Sequence, residues 1–360
     1  MRGRARFRRA MTSAVHSRHA AFRELPRVSV AGLGSPERRV REEAAGRLVK
    51  AVRDAGFLYV VEHGVAASVS EELVATAKRY FAEPHEKKLE QYIGRSSLSH
   101  RGYVPEGEEV FYGGSRDRKE AFDLSFELPD SDPDVRANTP MLGKNVWPDV
   151  EGFRDVVSAY YRDVFALGRT LLRGFALGLE LEENFFDSIV QKPPSQLRLV
   201  HYPPSGADGS GGIAAHTDYE LFTILLATSP GLEVVNGAGD WIDAPPLPGA
   251  FVVNIGDMLE ILTNGELVAT SHRVRRVALD RYSFPLFFCC DYHTVVGPLA
   301  DFVTPERPAA YESLVAGEHL FAQTAQSFTY LKERIARGEL ELPKNARPLG
   351  SFARREDVAK

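Results

Sequence analysis

From Leu197 to about Val296 the chain is a succession of short apolar runs, and each break carries a turn signal: Pro203-Pro204, Asn236-Gly237-Ala238-Gly239-Asp240, Pro248-Gly249 and Asn264-Gly265. Short strands at this spacing predict a β-sandwich or barrel. What precedes has a different texture. Between Phe153 and Leu179 the residues Val156, Val157, Tyr160, Val164, Leu167, Leu171, Phe175 and Leu179 keep helical spacing, and the pattern changes at Pro193-Pro194.

Nearer the N-terminus, Arg27 to Leu33 has the mixed apolar content of a short strand. Ser35-Pro36-Glu37 then supplies an N-cap, a Pro at the first helical position and an acid in the first turn, which predicts a helix over 36–54 closed by Gly56. Phe57 to Val61 reads as a strand and Ser68 to Phe81 as a second helix. The stretch from Ser96 to Pro148 is rich in Gly, Pro, Asp and Ser and reads as long and irregular, which in a compact domain points to function or mobility. A last helix is expected over 327–338.

With 360 residues, 44% of them apolar, the chain can bury one large core. A net charge of −5 lacks the clustered basic excess that phosphate-backbone binding needs, so nucleic acid is not an expected partner. No apolar stretch approaches the roughly 20 residues of a membrane span. The two cysteines, Cys289 and Cys290, are adjacent in an apolar run, where a strand would turn them to opposite faces. They form no disulfide framework, which suits a reducing, cytoplasmic setting. Residues 1–24 open with an Arg-rich run that is acid-free until Glu24. A transit peptide is compatible with it; a disordered tail, or an upstream extension before Met11 as the true start, is the preferred reading, since chain termini are commonly untethered.

The chemistry starts at His216-Thr217-Asp218, just ahead of the apolar run Leu221 to Ala227. Residues two apart on a strand point the same way, so the imidazole and the carboxylate can converge on one metal while Thr217 faces elsewhere. His272, beyond two further turn signals, can be brought beside them as a third ligand. Two His and one carboxylate on one side of a metal leave its other side open for a co-substrate and oxygen. Arg281-Tyr282-Ser283 follows with the same two-residue spacing, offering a guanidinium fork and a hydroxyl to a carboxylate.

His-X-Asp, a distal His and Arg-X-Ser together resemble the isopenicillin N synthase-like family of 2-oxoglutarate- and iron(II)-dependent dioxygenases. Gly56-Phe57-Leu58-Tyr59-Val60-Val61-Glu62-His63-Gly64-Val65 is similar to the family's N-terminal signature, and Lys119-Glu120-Ala121-Phe122-Asp123 to its Lys-Glu-X-Phe-Asp segment. Asn254-Ile255-Gly256-Asp257-Met258-Leu259 with Thr263-Asn264-Gly265 resembles the family's approach to the distal His. The resemblance implies a mixed α and β fold: a double-stranded β-helix (jelly-roll, cupin-like) core with an N-terminal helical and strand lobe and flanking helices. It divides the chain into the tail 1–24, the lobe 25–192, the core 193–300 and a C-terminal loop and helix, 301–360, completing the same domain.

By the same resemblance His216, Asp218 and His272 hold Fe(II), and Arg281, Ser283 and Tyr202 bind 2-oxoglutarate. The implied reaction uses O2 to oxidise a C–H bond of a small molecule, with release of succinate and CO2. Hydroxylation is the leading outcome, desaturation or ring closure the alternatives, in secondary metabolism. Arg101, Tyr103, Phe122, Phe126, Arg198, Glu220 and Phe287 are the candidate substrate wall. Two departures stand out: Val200 replaces a frequent Asn, and Glu220 and Phe222 stand where plant-like members often carry Gly and Leu. Glu220 is expected at a solvated rim. His201, His63, His85, His100 and His293 lack partners at ligand spacing and read as structural or exposed; Asn254 and Asp257 are candidates for support or turn roles.

Three other readings stay open on sequence. An oxidase of the same family would draw every electron from its substrate and use Arg281 and Ser283 to hold the substrate carboxylate. A zinc hydrolase also uses two His and one Asp but leaves Arg281-Tyr282-Ser283 unexplained. A barrel that only binds is the third. A monomer or weak homo-oligomer is expected.

Overall fold

Gly56 is where the N-terminal half turns from helix into sheet. The computed structural model of the chain describes residues 19–95, 98–110, 118–204, 212–275 and 280–350. Helix α1 (Arg38–Ala55) ends because Gly56 takes φ 67°, a left-handed conformation that a Cβ makes costly. A Cβ there would also lie 2.0 Å from Thr270 Oγ1. α1 starts two residues later than the capping signal predicts: the Ser35 hydroxyl accepts the Glu37 N–H at 3.2 Å, and Glu37 stays extended.

Strand β1 (Arg27–Ser29) is shorter than expected, because Ala31–Gly34 coils into a 3-10 turn. It pairs in parallel with β2 (Phe57–Val61), and α2 (Ala67–Phe81) follows. Order also begins before Leu25. Of the expected tail, residues 1–18 lie outside the described residues, but His19 is buried with Nδ1 3.0 Å from Arg53 O, and Asn236 donates to Phe22 O at 2.8 Å. His19 and Phe22 are therefore anchored to the fold, which differs from the tail expectation at those two residues, while Ala20, Ala21, Arg23 and Glu24 are exposed.

The stretch expected to be irregular contains β3 (Gly102–Val104) and β4 (Glu120–Ser125). The long helix α3 (Phe153–Gly178) lies where its periodicity predicts. Then come β5 (Gln196–Tyr202), β6 (Ile213–His216), β7 (Phe222–Ala227), β8 (Leu232–Val235), β9 (Trp241–Asp243), β10 (Ala250–Ile255), α4 (Asp257–Leu262), β11 (His272–Val274) and β12 (Arg281–Phe288). A large sheet runs β1-β2-β10-β7-β12-β5-β4-β3 and a smaller one β6-β11-β8-β9. The central neighbours, β2-β10-β7-β12-β5 in the large sheet and β6-β11-β8 in the small one, are non-sequential, the connectivity of a jelly roll.

α3 covers one face of the large sheet closely: a Cβ at Gly168 would come within 2.4 Å of the Phe288 ring. The opposite face looks toward the small sheet. At the C-terminus β13 (Val295–Val296) pairs with β14 (Leu314–Val315); the helix expected over 327–338 is α6 (Thr329–Ala336), and a further helix not read from the sequence, α5 (Ala316–Ser327), precedes it. They break at Phe328, which is extended at φ −88°, ψ 130°. Cys289 and Cys290 are buried and unoxidised, and both thiols approach Met258 sulfur, at 4.0 and 3.9 Å. Opposite faces were expected, but β12 ends at Phe288 and strand alternation ends with it. Among the described residues no helix is long and apolar enough to cross a membrane.

Candidate metal centre

Antiparallel pairing of β6 with β11 sets His216 opposite His272, with ring centroids 4.3 Å apart. Asp218 lies two residues beyond the end of β6, and its Oδ1 is 3.7 Å from His216 Nε2 and 3.6 Å from His272 Nε2. One donor atom from each residue falls within 4.8 Å of the other two. His216 Nδ1 is 2.8 Å from Ala214 O and His272 Nδ1 is 3.2 Å from Thr270 O. A carbonyl can only accept, so the ring proton sits on Nδ1 and the lone pair on Nε2, toward Asp218.

The carboxylate is oriented from behind. Asp218 Oδ2 accepts from Thr223 Oγ1 at 2.5 Å and from Asn254 Nδ2 at 2.7 Å, which leaves Oδ1 turned toward the imidazoles. Asn254 thus has the support role weighed for it. The Asp218 carbonyl accepts the Asp257 N–H at 2.8 Å at the start of α4, so the turn is pinned. Asp257 is more than the expected turn residue: it is buried, and burial holds its carboxyl well above the usual range.

Burial first, then the neighbouring His272, push the His216 imidazole down to about 4, so it is neutral at pH 7, the form that ligates metal. Burial opposes ionisation of Asp218, but the two histidines and the bonds from Thr223 and Asn254 outweigh it and hold the carboxyl low. Two imidazoles presenting Nε2 and a carboxylate whose second oxygen is supported fit a divalent metal.

Alternate residues of β12, Arg281, Ser283, Pro285 and Phe287, line a cavity against this cluster, as do Gln196, Arg198, Val200 and Tyr202 of β5. The strands pair Arg281 with Tyr202 and Ser283 with Val200. Arg281 is 1% exposed, and its guanidinium carbon lies 4.8 Å from the Tyr202 ring centre. Its Nε and Nη1 are buried with no hydrogen-bond partner among the described residues. An uncompensated buried cation costs several kcal/mol, so the pocket is shaped for an anion arriving through the cavity. Val200 offers that anion no hydrogen bond, in keeping with its side chain.

Of the expected wall, Arg198, Glu220 and Phe287 line the cavity; Arg101, Tyr103, Phe122 and Phe126 do not. The Arg101 guanidinium is fastened to the carbonyls of Ser99, His100 and Met141. Tyr103 donates to Glu120 Oε2 at 2.6 Å, Phe122 packs on Tyr80 and Phe153, and Phe126 on Phe165. On β4 it is Asp123 that faces Arg198, so strand alternation turns Phe122 toward the helices. Glu220 is buried, not at a rim: burial and then Asp218 push its carboxyl up to about 8. Of the unassigned histidines, His100 lines the cavity with Nδ1 2.7 Å from Tyr330 OH, while His201 sits 2.8 Å from Glu120 and His293 2.7 Å from Asp134.

Sequence reasoning missed Glu109, Lys119 as a wall residue, and the wall made by Leu320, Thr324, Ser327 and Phe328 of the α5–α6 region. Apolar spacing at Leu320, Phe321, Ala325 and Phe328 is the signal that could have found the last of these. Arg198 donates to both oxygens of Asp123 at 2.8 Å and to Glu109 at 3.0 and 3.2 Å, and Lys119 lies 2.9 Å from Glu109. Glu109 also bridges Phe328 in backbone register, which ties this wall to the C-terminal one. Burial opposes ionisation of Glu109, but Arg198 and Lys119 hold its carboxyl down at about 2. Arg198→Met leaves Asp123 without its cation and should cost about 3 to 5 kcal/mol, measured by chemical denaturation. A loss below about 1 kcal/mol would show that the network contributes little to the fold.

Two family descriptions match the chain: the N-terminal region of non-haem dioxygenase in morphine synthesis over residues 25–150, and the 2OG-Fe(II) oxygenase superfamily over residues 193–290. A 2-oxoglutarate-dependent dioxygenase of Didymella fabae is 36% identical, the match covering 73% of this chain and 84% of that protein. A homoarginine-6-hydroxylase of Oryza sativa subsp. japonica is 35% identical over 77% of this chain and 87% of its own length. A solved 2OG-Fe(II) oxygenase family protein of Caulobacter crescentus superposes with a TM-score of 0.73 at 32% identity, covering 88% of this chain and 99% of that one. A full-length Neurospora crassa protein, solved in complex with alpha-KG and thymine, gives a TM-score of 0.72 at 25% identity, covering 89% and 99%.

Proposed function

The chain belongs to the 2-oxoglutarate/iron(II) oxygenase superfamily, and from that premise we propose that His216, Asp218 and His272 hold its iron while Arg281, Ser283 and Tyr202 receive 2-oxoglutarate. It is an oxidoreductase for small molecules that uses Fe(II), 2-oxoglutarate and O2. Once bound, the iron would activate O2, the oxidant, with 2-oxoglutarate as the sacrificial reductant that takes up one oxygen atom and leaves as succinate and CO2. The chain's own residues position and shield. Thr223 and Asn254 hold Asp218 Oδ1 toward the metal, and the Nδ1 bonds keep both imidazoles in the ligating tautomer.

The observation that carries this reading is the buried Arg281, whose guanidinium lacks an anion beside a three-ligand cluster. Hydroxylation of a polar molecule is the favoured outcome: the cavity carries Glu109, Lys119, Arg198 and Glu220 in addition to the metal set, and relatives include homoarginine hydroxylases and a thymine-bound protein. Residues 25–192 are read as a lobe on the core 193–300, with 301–360 completing one domain. The negative charge supports the absence of a nucleic-acid partner, and the free cysteines suit a reducing, cytoplasmic setting. Succinate formation tests the reading: iron-loaded enzyme should convert 2-oxoglutarate slowly alone and faster with a polar substrate such as homoarginine or thymine. Stimulation confined to wholly apolar compounds would remove the polar-substrate assignment.

A further inference from the structure

We propose that Glu220 selects the primary substrate by pairing with a positively charged group on it, an ammonium or a guanidinium. The inference deepens the functional reading above and rests on it. It follows from matching each charge on the cavity wall with its partner. Arg198 spends its guanidinium on Asp123 and Glu109, and Lys119 lies on Glu109, so two cations and two carboxylates close on one another. Arg281 is left for the distal carboxylate of 2-oxoglutarate. Asp218 and the second carboxylate of 2-oxoglutarate would balance iron(II) when both are bound.

Glu220 remains. It lines the same cavity, is 5% exposed, and among the described residues no Lys, Arg or His lies within ion-pair distance of it. Its carboxylate accepts from the backbone N–H groups of Glu220 and Tyr219, which orient it and use only part of its acceptor capacity. The backbone beneath is fixed: Met258 N–H donates to Glu220 O at 3.1 Å, and Leu221 O accepts Gly256 N–H at 2.9 Å. A buried carboxyl that faces the cavity and has no basic side chain beside it among the described residues is a fitting partner for a cationic group on the ligand.

The test uses matched probes that differ in charge: L-arginine against L-citrulline, and L-lysine against L-norleucine. Binding to the anaerobic enzyme loaded with Fe(II) and 2-oxoglutarate is measured by calorimetry for wild type, Glu220→Gln and Glu220→Asp. Wild type should bind the cationic member of each pair roughly thirty-fold more tightly or better. Glu220→Gln should bring the ratio near one, and Glu220→Asp should keep part of it. The proposal is overturned if neutral members bind as well as cationic ones, if no cationic probe binds, or if the preference survives in Glu220→Gln. The wild-type ratio needs no variant, so misfolding of a mutant cannot rescue the idea. Succinate formation by wild type without a primary substrate separates the two failures: if it occurs and no charge preference is found, only the role of Glu220 falls.

Discussion

Alanine at His216, Asp218 or His272 is expected to abolish both iron retention and turnover while leaving a folded protein. All three donor atoms meet within 4.8 Å, so removing one leaves two ligands that cannot define the site. Each imidazole donates from Nδ1 to a carbonyl two residues away on its own segment, a local bond, so secondary structure and thermal unfolding of the histidine variants should stay close to wild type. Asp218→Glu should fail as well. Its extra methylene displaces an oxygen that Thr223 and Asn254 now hold in place, and such sites tolerate errors of only about half an ångström. Metal content after gel filtration and succinate formation are the measurements. Near-normal values in two of the three alanine variants would refute the triad.

Arg281→Gln should raise the 2-oxoglutarate requirement while iron affinity changes little, because among the described residues no hydrogen bond or ion pair joins Arg281 to the triad. The loss of a buried charge-assisted pair is worth about 2 to 5 kcal/mol, or roughly thirty- to several-thousand-fold in binding. Arg281→Lys should recover part of it, since an ammonium brings charge without the planar fork and without the guanidinium face that rests on the Tyr202 ring. Succinate formation against 2-oxoglutarate concentration reads this out. An unchanged concentration dependence in Arg281→Gln would mean that Arg281 serves another carboxylate.

These two predictions concern residues that could be read from the chain, and the reason differs for each. Arg281 and Ser283 share a face because β12 is an unbroken strand, so two-residue spacing translates directly into a shared pocket wall. His216 and Asp218 also converge, but by a different route from the one that alternation suggests. β6 stops at His216, and Asp218 is brought back by a turn clamped to the start of α4. The right pair was legible through the wrong local geometry.

The substrate wall was far less legible. Tyr103 and Phe122 are opposite each other on β3 and β4, yet neither faces the cavity, and which face a strand residue takes depends on a register that loop-like sequence conceals. Helix α5 went unread because it mixes apolar positions with buried Gln323, Thr324 and Ser327, which weakens its periodicity. Glu220 reads as a rim residue until α4 is seen packing over the turn that carries it. Arg198 was placed at the cavity through the family resemblance, and its charge is already consumed by Asp123 and Glu109.

The most direct test is spectroscopic. Iron(II) and then 2-oxoglutarate are added to the wild-type protein without oxygen, and the visible charge-transfer band of the iron-bound 2-oxoglutarate chelate is followed. The band should appear and saturate with 2-oxoglutarate in wild type, require far more 2-oxoglutarate in Arg281→Gln, and be missing in the three alanine variants. Iron bound by wild type with no band at saturating 2-oxoglutarate would contradict the assignment and favour an oxidase that takes its electrons from the substrate alone.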